Sequence, residues 1–337
     1  MRILKGKSKK QILSIPQVLQ RIEALDAKTK RIAHLLGYRS NEISKTFRQM
    51  LTMCNSVSII FLQFDLLHAA LYILLKAAET DVCMFFEGNS SDRIWHGRVL
   101  VYCNLGYFLH RIDDYTGSLK FLYDAESLIL EIKDMKRRAT ALNTGDIMLA
   151  HASIAFLVLC RIERFKEAEQ YLEILTTQFN SIIKGRRSKI NSTGLSNLYC
   201  LIHLSIELFR VMKGVDMEEA ISSCKAALEN VKNEKTAAMT LLERFSQSKE
   251  YNEGLDILLS DEFQSVMFIT AFFPFIGTST PIINFTELCQ AQERARFSPI
   301  TKADIPSMIA PNLSPSDIPD NYSLIMKTAL ASVKGHN

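Results

Sequence analysis

The sequence contains few of the residues that build turns. Only 13 glycines and 8 prolines are spread over 337 residues. This scarcity permits long uninterrupted helices and argues against a turn-rich β architecture. A chain of this length can bury a substantial core, either as two domains or as one elongated array. Its apolar fraction of 47% and charged fraction of 23% are ordinary for a folded protein.

The sequence also lacks a long apolar run. The most apolar stretch, residues 266–276, is too short to span a bilayer, and Pro274 interrupts it. Residues 11–20 are too polar for a secretory signal. The first ten residues contain five basic residues and no acidic one, which predicts a flexible basic leader over 1–16. A mitochondrial presequence is the alternative, because no acidic residue precedes Glu23.

No motif for catalysis, phosphate binding or metal binding is complete. The Gly6-Lys7-Ser8 tripeptide lacks the upstream glycine of a phosphate loop. Cys200 and His203 have ligand-like spacing, but they lie in an apolar helix and no second pair follows. The seven cysteines include no C-x2-C pair, which favours buried thiols in a reducing compartment. We therefore predict no enzyme activity, no cofactor and no metal.

The most regular feature is a pair of helices predicted between Val101 and Leu128. Apolar and small residues recur at spacings of three and four on both sides of a tight turn at Asp113 and Asp114. Asp114 is placed to cap the second helix. The residues predicted to pack this pair are Leu105, Gly106, Tyr115, Ser118 and Ala125.

The same order of residues recurs along the chain. The other predicted helical pairs cover residues 43–78, 146–179, 196–231 and 235–259. The small residues that anchor the five pairs are Ala70, Ser118, Ala168, Ala220 and Gly254, at intervals of 48, 50, 52 and 34 residues. Phe165 marks the turn of the third pair, and Ala227 is a second small position in the fourth. Polar stretches at 88–93, 133–146 and 183–194 should be surface connections.

This order of small and large residues resembles the tetratricopeptide repeat, which has a period of 34 residues. The resemblance covers roughly residues 43–262. It implies an all-α fold in which antiparallel helix pairs stack into a right-handed superhelix, an α-solenoid. We expect residues 17–42 to form an N-terminal capping helix and residues 263–297 an apolar C-terminal cap. Residues 298–337 hold five of the eight prolines in their first part, which predicts an extended tail with a short terminal helix.

Members of this family are usually adaptors in larger assemblies. The resemblance implies a non-catalytic scaffold whose inner groove, lined by the first helix of each pair, binds a peptide or helix of another protein. Some members hold chaperone C-termini with a clamp of asparagine and basic residues. Asn104 matches the motif's asparagine, but Ser56, Ile154 and Ile206 stand at the corresponding positions elsewhere. The clamp is therefore incomplete.

Basic residues supply the remaining candidate contacts with a partner. Beyond the leader, they occupy two predicted loops: Arg137 and Arg138, then Lys184, Arg186, Arg187 and Lys189. A solvated edge is the default interpretation, and contact with an acidic protein surface such as tubulin is the functional one. The long insertions resemble those of repeat proteins in cytoskeletal and ciliary assemblies, which implies a cytoplasmic protein at microtubules. The alternative is an RNA-associated repeat protein, although few aromatic residues interleave with these charges.

Overall fold

A computed structural model describes residues 12–36, 41–85, 92–136, 145–186, 193–231, 235–276, 280–296 and 300. The predicted tail beyond residue 300 lies outside them. The described residues form thirteen α-helices and two short strands, which confirms the all-α class. In chain order the elements are β1 (Ile12–Leu13), α1 (Ile15–Leu36), α2 (Asn41–Gln63), α3 (Leu67–Phe85), α4 (Asp92–Arg111), α5 (Tyr115–Lys136), α6 (Gly145–Arg161), α7 (Phe165–Arg186), α8 (Thr193–Met212), α9 (Met217–Glu229), α10 (Ala237–Gln247), α11 (Tyr251–Leu259), α12 (Asp261–Phe272), β2 (Ile282–Ile283) and α13 (Phe285–Ala295).

The chain divides into two compact units. The first unit consists of residues 1–104 and 275–301, and the second of residues 105–274 and 302–337. The division falls within α4. In the first unit α1 packs against α2 and α3. In the second unit, helices that follow one another in the chain, from α5 to α12, pack in adjacent pairs.

Four helix pairs are joined by the same turn. Asp65, Asp113 and Glu163 have φ angles of 54°, 60° and 59°, and Gly214 has a φ of 94°. In each turn the next N–H donates to the carbonyl five residues back, which is the Schellman end of a helix. These bonds join Leu66 to Phe61 (2.8 Å), Asp114 to Leu109 (2.9 Å), Arg164 to Leu159 (2.9 Å) and Val215 to Arg210 (3.1 Å). The predicted pairing of α2–α3, α4–α5, α6–α7 and α8–α9 is confirmed.

The predicted small residues lie where the two helices of a pair approach each other. The four anchors after these turns have no exposed surface: Ala70, Ser118, Ala168 and Ala220. The Ser118 hydroxyl donates to the Gly106 carbonyl oxygen over 2.6 Å. A Cβ atom at Gly106 would lie 3.2 Å from the Leu122 side chain. The small residues are therefore required by the packing distance between α4 and α5.

A first prediction concerns the turn residues whose backbone is left-handed. A non-glycine residue in that conformation lowers the free energy of unfolding by roughly 1 kcal/mol. We expect Glu163→Gly to raise the free energy of unfolding by up to that amount and Gly214→Ala to lower it similarly. Urea unfolding of the two variants measures both changes. Effects of the same sign would contradict a shared turn geometry.

The fifth pair, α10 and α11, lacks this turn. The residue after α10, Ser248, has an extended backbone with a φ of −64°. The predicted anchor Gly254 nevertheless marks a close approach, because a Cβ atom there would lie 2.5 Å from the Phe245 ring. Glycine is therefore needed where α11 packs against α10 and α8.

The start of α1 differs from the predicted leader of residues 1–16. The Gln17 N–H donates to the Ser14 hydroxyl over 3.3 Å, and the Ser14 N–H donates to the Gln17 side chain over 2.9 Å. This reciprocal capping box begins the helix at Ile15. Pro16 therefore lies in the first turn of α1, where proline is tolerated, and does not mark the end of a leader.

Candidate interaction surfaces

Helix α12 covers the first helices of the second unit. It packs against α6 and α8, which are each the first helix of a pair. It also contacts α4, where the Tyr107 and Phe268 rings stack with centroids 3.7 Å apart. The His110 Nε2 atom lies 2.8 Å from the Gln264 Oε1 atom. In this unit, the surface predicted to be a partner groove holds a helix of the chain itself.

Helix α12 is part of the core and is apolar on most of its circumference. Its buried residues are Phe263, Gln264, Met267, Phe268, Thr270, Ala271 and Phe272. The polar contacts at its start are peripheral: Arg161 pairs with Asp261 at 3.6 Å, and Arg244 pairs with Glu262 at 2.7 Å. Exposed ion pairs of this kind add little stability. Apolar burial therefore fixes α12 in place.

The charged residues near the α4–α5 turn have structural roles. The Gly117 N–H donates to the Asp114 carboxylate over 3.2 Å, which confirms Asp114 as the cap of α5. The Tyr115 hydroxyl donates to Asp113 over 2.5 Å. Burial lowers the pKa of His110 to about 4, although its bond to Gln264 acts in the opposite direction. His110 is therefore neutral at pH 7.

Asn104 does not lie on an accessible groove. Its side chain has no exposed surface, and its amide donates to the Asn55 Oδ1 atom over 3.0 Å. The Asn55 amide donates in turn to the Gly97 carbonyl oxygen over 2.9 Å. These bonds join α2 to α4 within the first unit. Asn104, a candidate partner contact from the sequence, therefore makes a buried contact between helices in this structure.

We expect Asn104→Ala to lower the free energy of unfolding by roughly 1–3 kcal/mol, because it leaves the buried Asn55 oxygen without its donor. Asn55→Ala should have a similar effect. If the pair acts as a unit, the double variant should lose less than the sum of the single losses. Denaturant unfolding of the two single variants and the double variant, compared with the wild type, gives a double-mutant cycle. Strict additivity would show that the bond does not couple the helices.

The predicted basic cluster is described only in part. Arg137, Arg138, Arg187 and Lys189 lie outside the described residues. Lys184 and Arg186 belong to the last turns of α7, and not to a loop as predicted. The helix runs through Gly185, since one interior glycine costs only about 1 kcal/mol and does not end a long helix.

His203 belongs to a polar network between α8 and α9 that short-range sequence spacing does not reveal. The buried carboxylate of Glu207 accepts hydrogen bonds from Ser223 (2.8 Å) and from Arg210 (2.7 Å). His203 Nε2 lies 3.2 Å from the Ser223 hydroxyl and 3.7 Å from Glu207. In a catalytic relay, one ring nitrogen of the histidine contacts the nucleophile and the other contacts the carboxylate. Here the same nitrogen, His203 Nε2, faces both the Ser223 hydroxyl and the Glu207 carboxylate. Burial raises the pKa of the Cys200 thiol to about 12.

Among the residues that the structure describes, no group of three or more His, Cys, Asp or Glu side chains could hold a metal ion. Within the same residues, one helical segment, Gly194–Met212, is long and apolar enough to span a membrane, with a mean hydropathy of 1.2. It belongs to α8, which packs against α7, α9, α10, α11 and α12. These contacts account for its apolar character.

No protein-family model, no curated protein and no solved structure matches the chain.

Proposed function

We propose that the protein is a non-catalytic scaffold that binds other proteins. In this proposal its helix pairs stack into a right-handed superhelix of the tetratricopeptide type. The observation that carries it is the recurrence of one turn: the left-handed residues Asp65, Asp113, Glu163 and Gly214 each end a first helix and start a second one. A single pair leaves an apolar face exposed, and stacking of pairs covers it.

The position of α12 supports helix recognition by the first helices. Their surface in the second unit accepts a helix whose aromatic residue, Phe268, stacks on Tyr107. Because α12 is buried there, we propose that partners bind elsewhere, at the basic connections after α5 and α7. An acidic surface such as that of tubulin, in the cytoskeleton or a cilium, would complement these residues.

The test is affinity purification of the full chain from cells at physiological salt, followed by mass spectrometry. We expect acidic cytoskeletal proteins to co-elute and to be lost when Arg137, Arg138 and Arg187 are replaced by glutamine. A matched variant, in which exposed Lys225, Lys249 and Arg294 become glutamine, should retain them. Equal capture by the two variants would exclude the basic connections as the binding surface.

RNA association is the second candidate, because the same arginines could contact phosphates. It predicts that affinity for a single-stranded RNA oligomer falls steeply with salt, and that each lost arginine contact reduces the salt slope by about 1. Absence of RNA binding at physiological salt would remove this candidate.

A further inference from the structure

The first unit contains a cavity of about 180 Å³. It lies between the start of α3 on one side and helix α13 on the other, and the start of α1 forms a third side. The lining residues that the structure describes all belong to the first unit. The cavity is therefore separate from the basic connections after α5 and α7.

The walls of the cavity are mostly apolar. Leu66 and Leu67 line it from the α2–α3 turn and the start of α3, and Ile15 lines it from the start of α1. Two alanines of α13, Ala291 and Ala295, form the opposite wall. Because these alanines are four residues apart, they lie on the same face of the helix. Their short side chains leave the space between α13 and α3 unfilled.

Hydrogen bonds, rather than close packing, hold α13 in place. Strands β1 and β2 pair in parallel, with Ile12 opposite Ile282, and the Ile15 N–H donates to the Glu287 Oε1 atom over 3.1 Å. Leu288 is the one residue of α13 that the structure describes as buried. The first turn of α13 is thus fixed beside the start of α1, and the two alanines follow one and two turns later. The cavity remains open at their level.

The volume limits the size of a ligand that the cavity can hold. An apolar cavity of roughly 150 Å³ stays dry when empty and binds benzene. Pockets for drug-sized ligands are larger, at about 300–1,000 Å³. The cavity in the first unit, at about 180 Å³, therefore has room for a single ring or a branched chain of about six heavy atoms.

The polar residues of the cavity exclude one class of ligand. Asp65 lines it at the α2–α3 turn, and His68, which is exposed, brings the lining to the protein surface. The described lining residues include no lysine or arginine. A negatively charged ligand would therefore meet an acidic side chain without a lysine or arginine to compensate its charge. An uncharged ligand has no such penalty.

We propose that this cavity binds a small uncharged apolar ligand, either a monocyclic aromatic or a short branched aliphatic molecule. The walls from α1, α3 and α13 supply dispersion contacts on three sides, and removal of the ligand's apolar surface from water drives binding. This site goes beyond the proposed scaffold function. Binding of a small ligand here and binding of a protein at the basic connections are separate properties of the chain.

The experiment is a titration of fluorobenzene with the purified full chain, followed by fluorine NMR. We expect a saturable change in the fluorine signal with a dissociation constant on the order of 0.1–1 mM, because the small number of heavy atoms limits the affinity. The ion para-fluorobenzoate adds a negative charge to the same ring and should bind about tenfold more weakly. No saturable binding of fluorobenzene, or equal binding of the two compounds, would overturn the proposal.

Matched variants locate the site. Ala295→Leu fills the cavity from α13, and Ala69→Leu fills it from α3. We expect each of them to weaken fluorobenzene binding about tenfold, because the new side chain occupies the space of the ligand. Gln290→Leu introduces the same residue at an exposed position of α13 and should leave the affinity unchanged. Melting curves show that each variant is folded, and the two filling variants test opposite walls independently.

Two further results would assign the cavity to another role and overturn the proposal. The first is equal fluorobenzene binding by the Ala295→Leu and Gln290→Leu variants, which would place the ligand elsewhere. The second is a dimer of the wild-type chain, measured by light scattering, that Ala295→Leu dissociates and Gln290→Leu retains. In that case the cavity would hold a side chain of a second copy of the protein.

Discussion

Arginine in place of Ala227 should abolish cooperative unfolding, because it forces a charge between packed helices. Ala227 lies on α9 and is only 2% exposed, and α9 packs against both α8 and α10. A buried unpaired charge costs more than about 4 kcal/mol, which is most of the 5–15 kcal/mol that stabilises an ordinary domain. Thermal and urea unfolding followed by circular dichroism measure the loss.

The preceding residue provides the control. Ala226 lies on the same helix and is exposed, so Ala226→Arg should change the free energy of unfolding by less than about 0.5 kcal/mol. Both variants have the same composition and the same added charge. If the two melt alike, the face of α9 that contacts its neighbours has been assigned incorrectly. Ala125→Arg should repeat the result of Ala227→Arg on α5, since Ala125 is also fully buried.

The helix pairs could be predicted because their signals are local. Two adjacent helices can approach closely only where their facing residues are small, as at Ser118 and Ala168. The spacing of such residues within a short stretch of sequence predicts these positions. The turns between paired helices also share one backbone geometry, although their residue types differ. Asp113, Glu163 and Gly214 share a left-handed conformation, but only glycine favours it intrinsically, so the sequence shows no common turn residue.

The position of α12 could not be predicted from the sequence. Its buried residues lie on most sides of the helix. The apolar run 266–276 therefore predicts that this helix is buried, but not which helices it packs against. The pairing of Ile12 with Ile282 is hidden for a related reason. Each strand has two residues, too few for an alternating pattern to be recognised. The capping box at Ser14 and Gln17 was, by contrast, a readable signal for the start of α1.

The candidate surface residues show the limits of motif transfer. Asn104 matches a position of the tetratricopeptide pattern, yet its bond to Asn55 places it inside the first unit. A residue type at a motif position does not reveal which neighbour covers it, because burial depends on contacts between distant parts of the chain. The same limit applies to Glu207, whose partner Ser223 comes from the next helix.

Acid should destabilise the protein through two buried histidines. Burial lowers the pKa of His151 from 6.5 to about 4, against its hydrogen bond to the Leu122 carbonyl oxygen. His110 has the same shift, also mainly from burial; nearby Arg161 and Arg111 lower its pKa further, and Asp113 raises it. Both histidines are therefore uncharged in the folded state at pH 7.

The direction of the effect follows from the pKa values of the two states. Because the pKa of each histidine is lower in the folded state, the unfolded chain binds protons between about pH 6.5 and 4 that the folded chain does not. Stability therefore falls as pH decreases through this window. Each histidine contributes a loss on the order of 3 kcal/mol by pH 4. Urea midpoints measured at steps across the window report it.

A variant separates the histidines from carboxylates that also titrate in acid. His110→Gln retains an amide that can bond to Gln264 but removes the titrating ring, so its stability should fall about half as steeply with acid. His34→Gln changes an exposed histidine at the end of α1 and should follow the wild-type curve. Parallel curves for all three proteins would mean that the acid sensitivity arises elsewhere, and that the contact of α4 with α12 does not depend on a neutral His110.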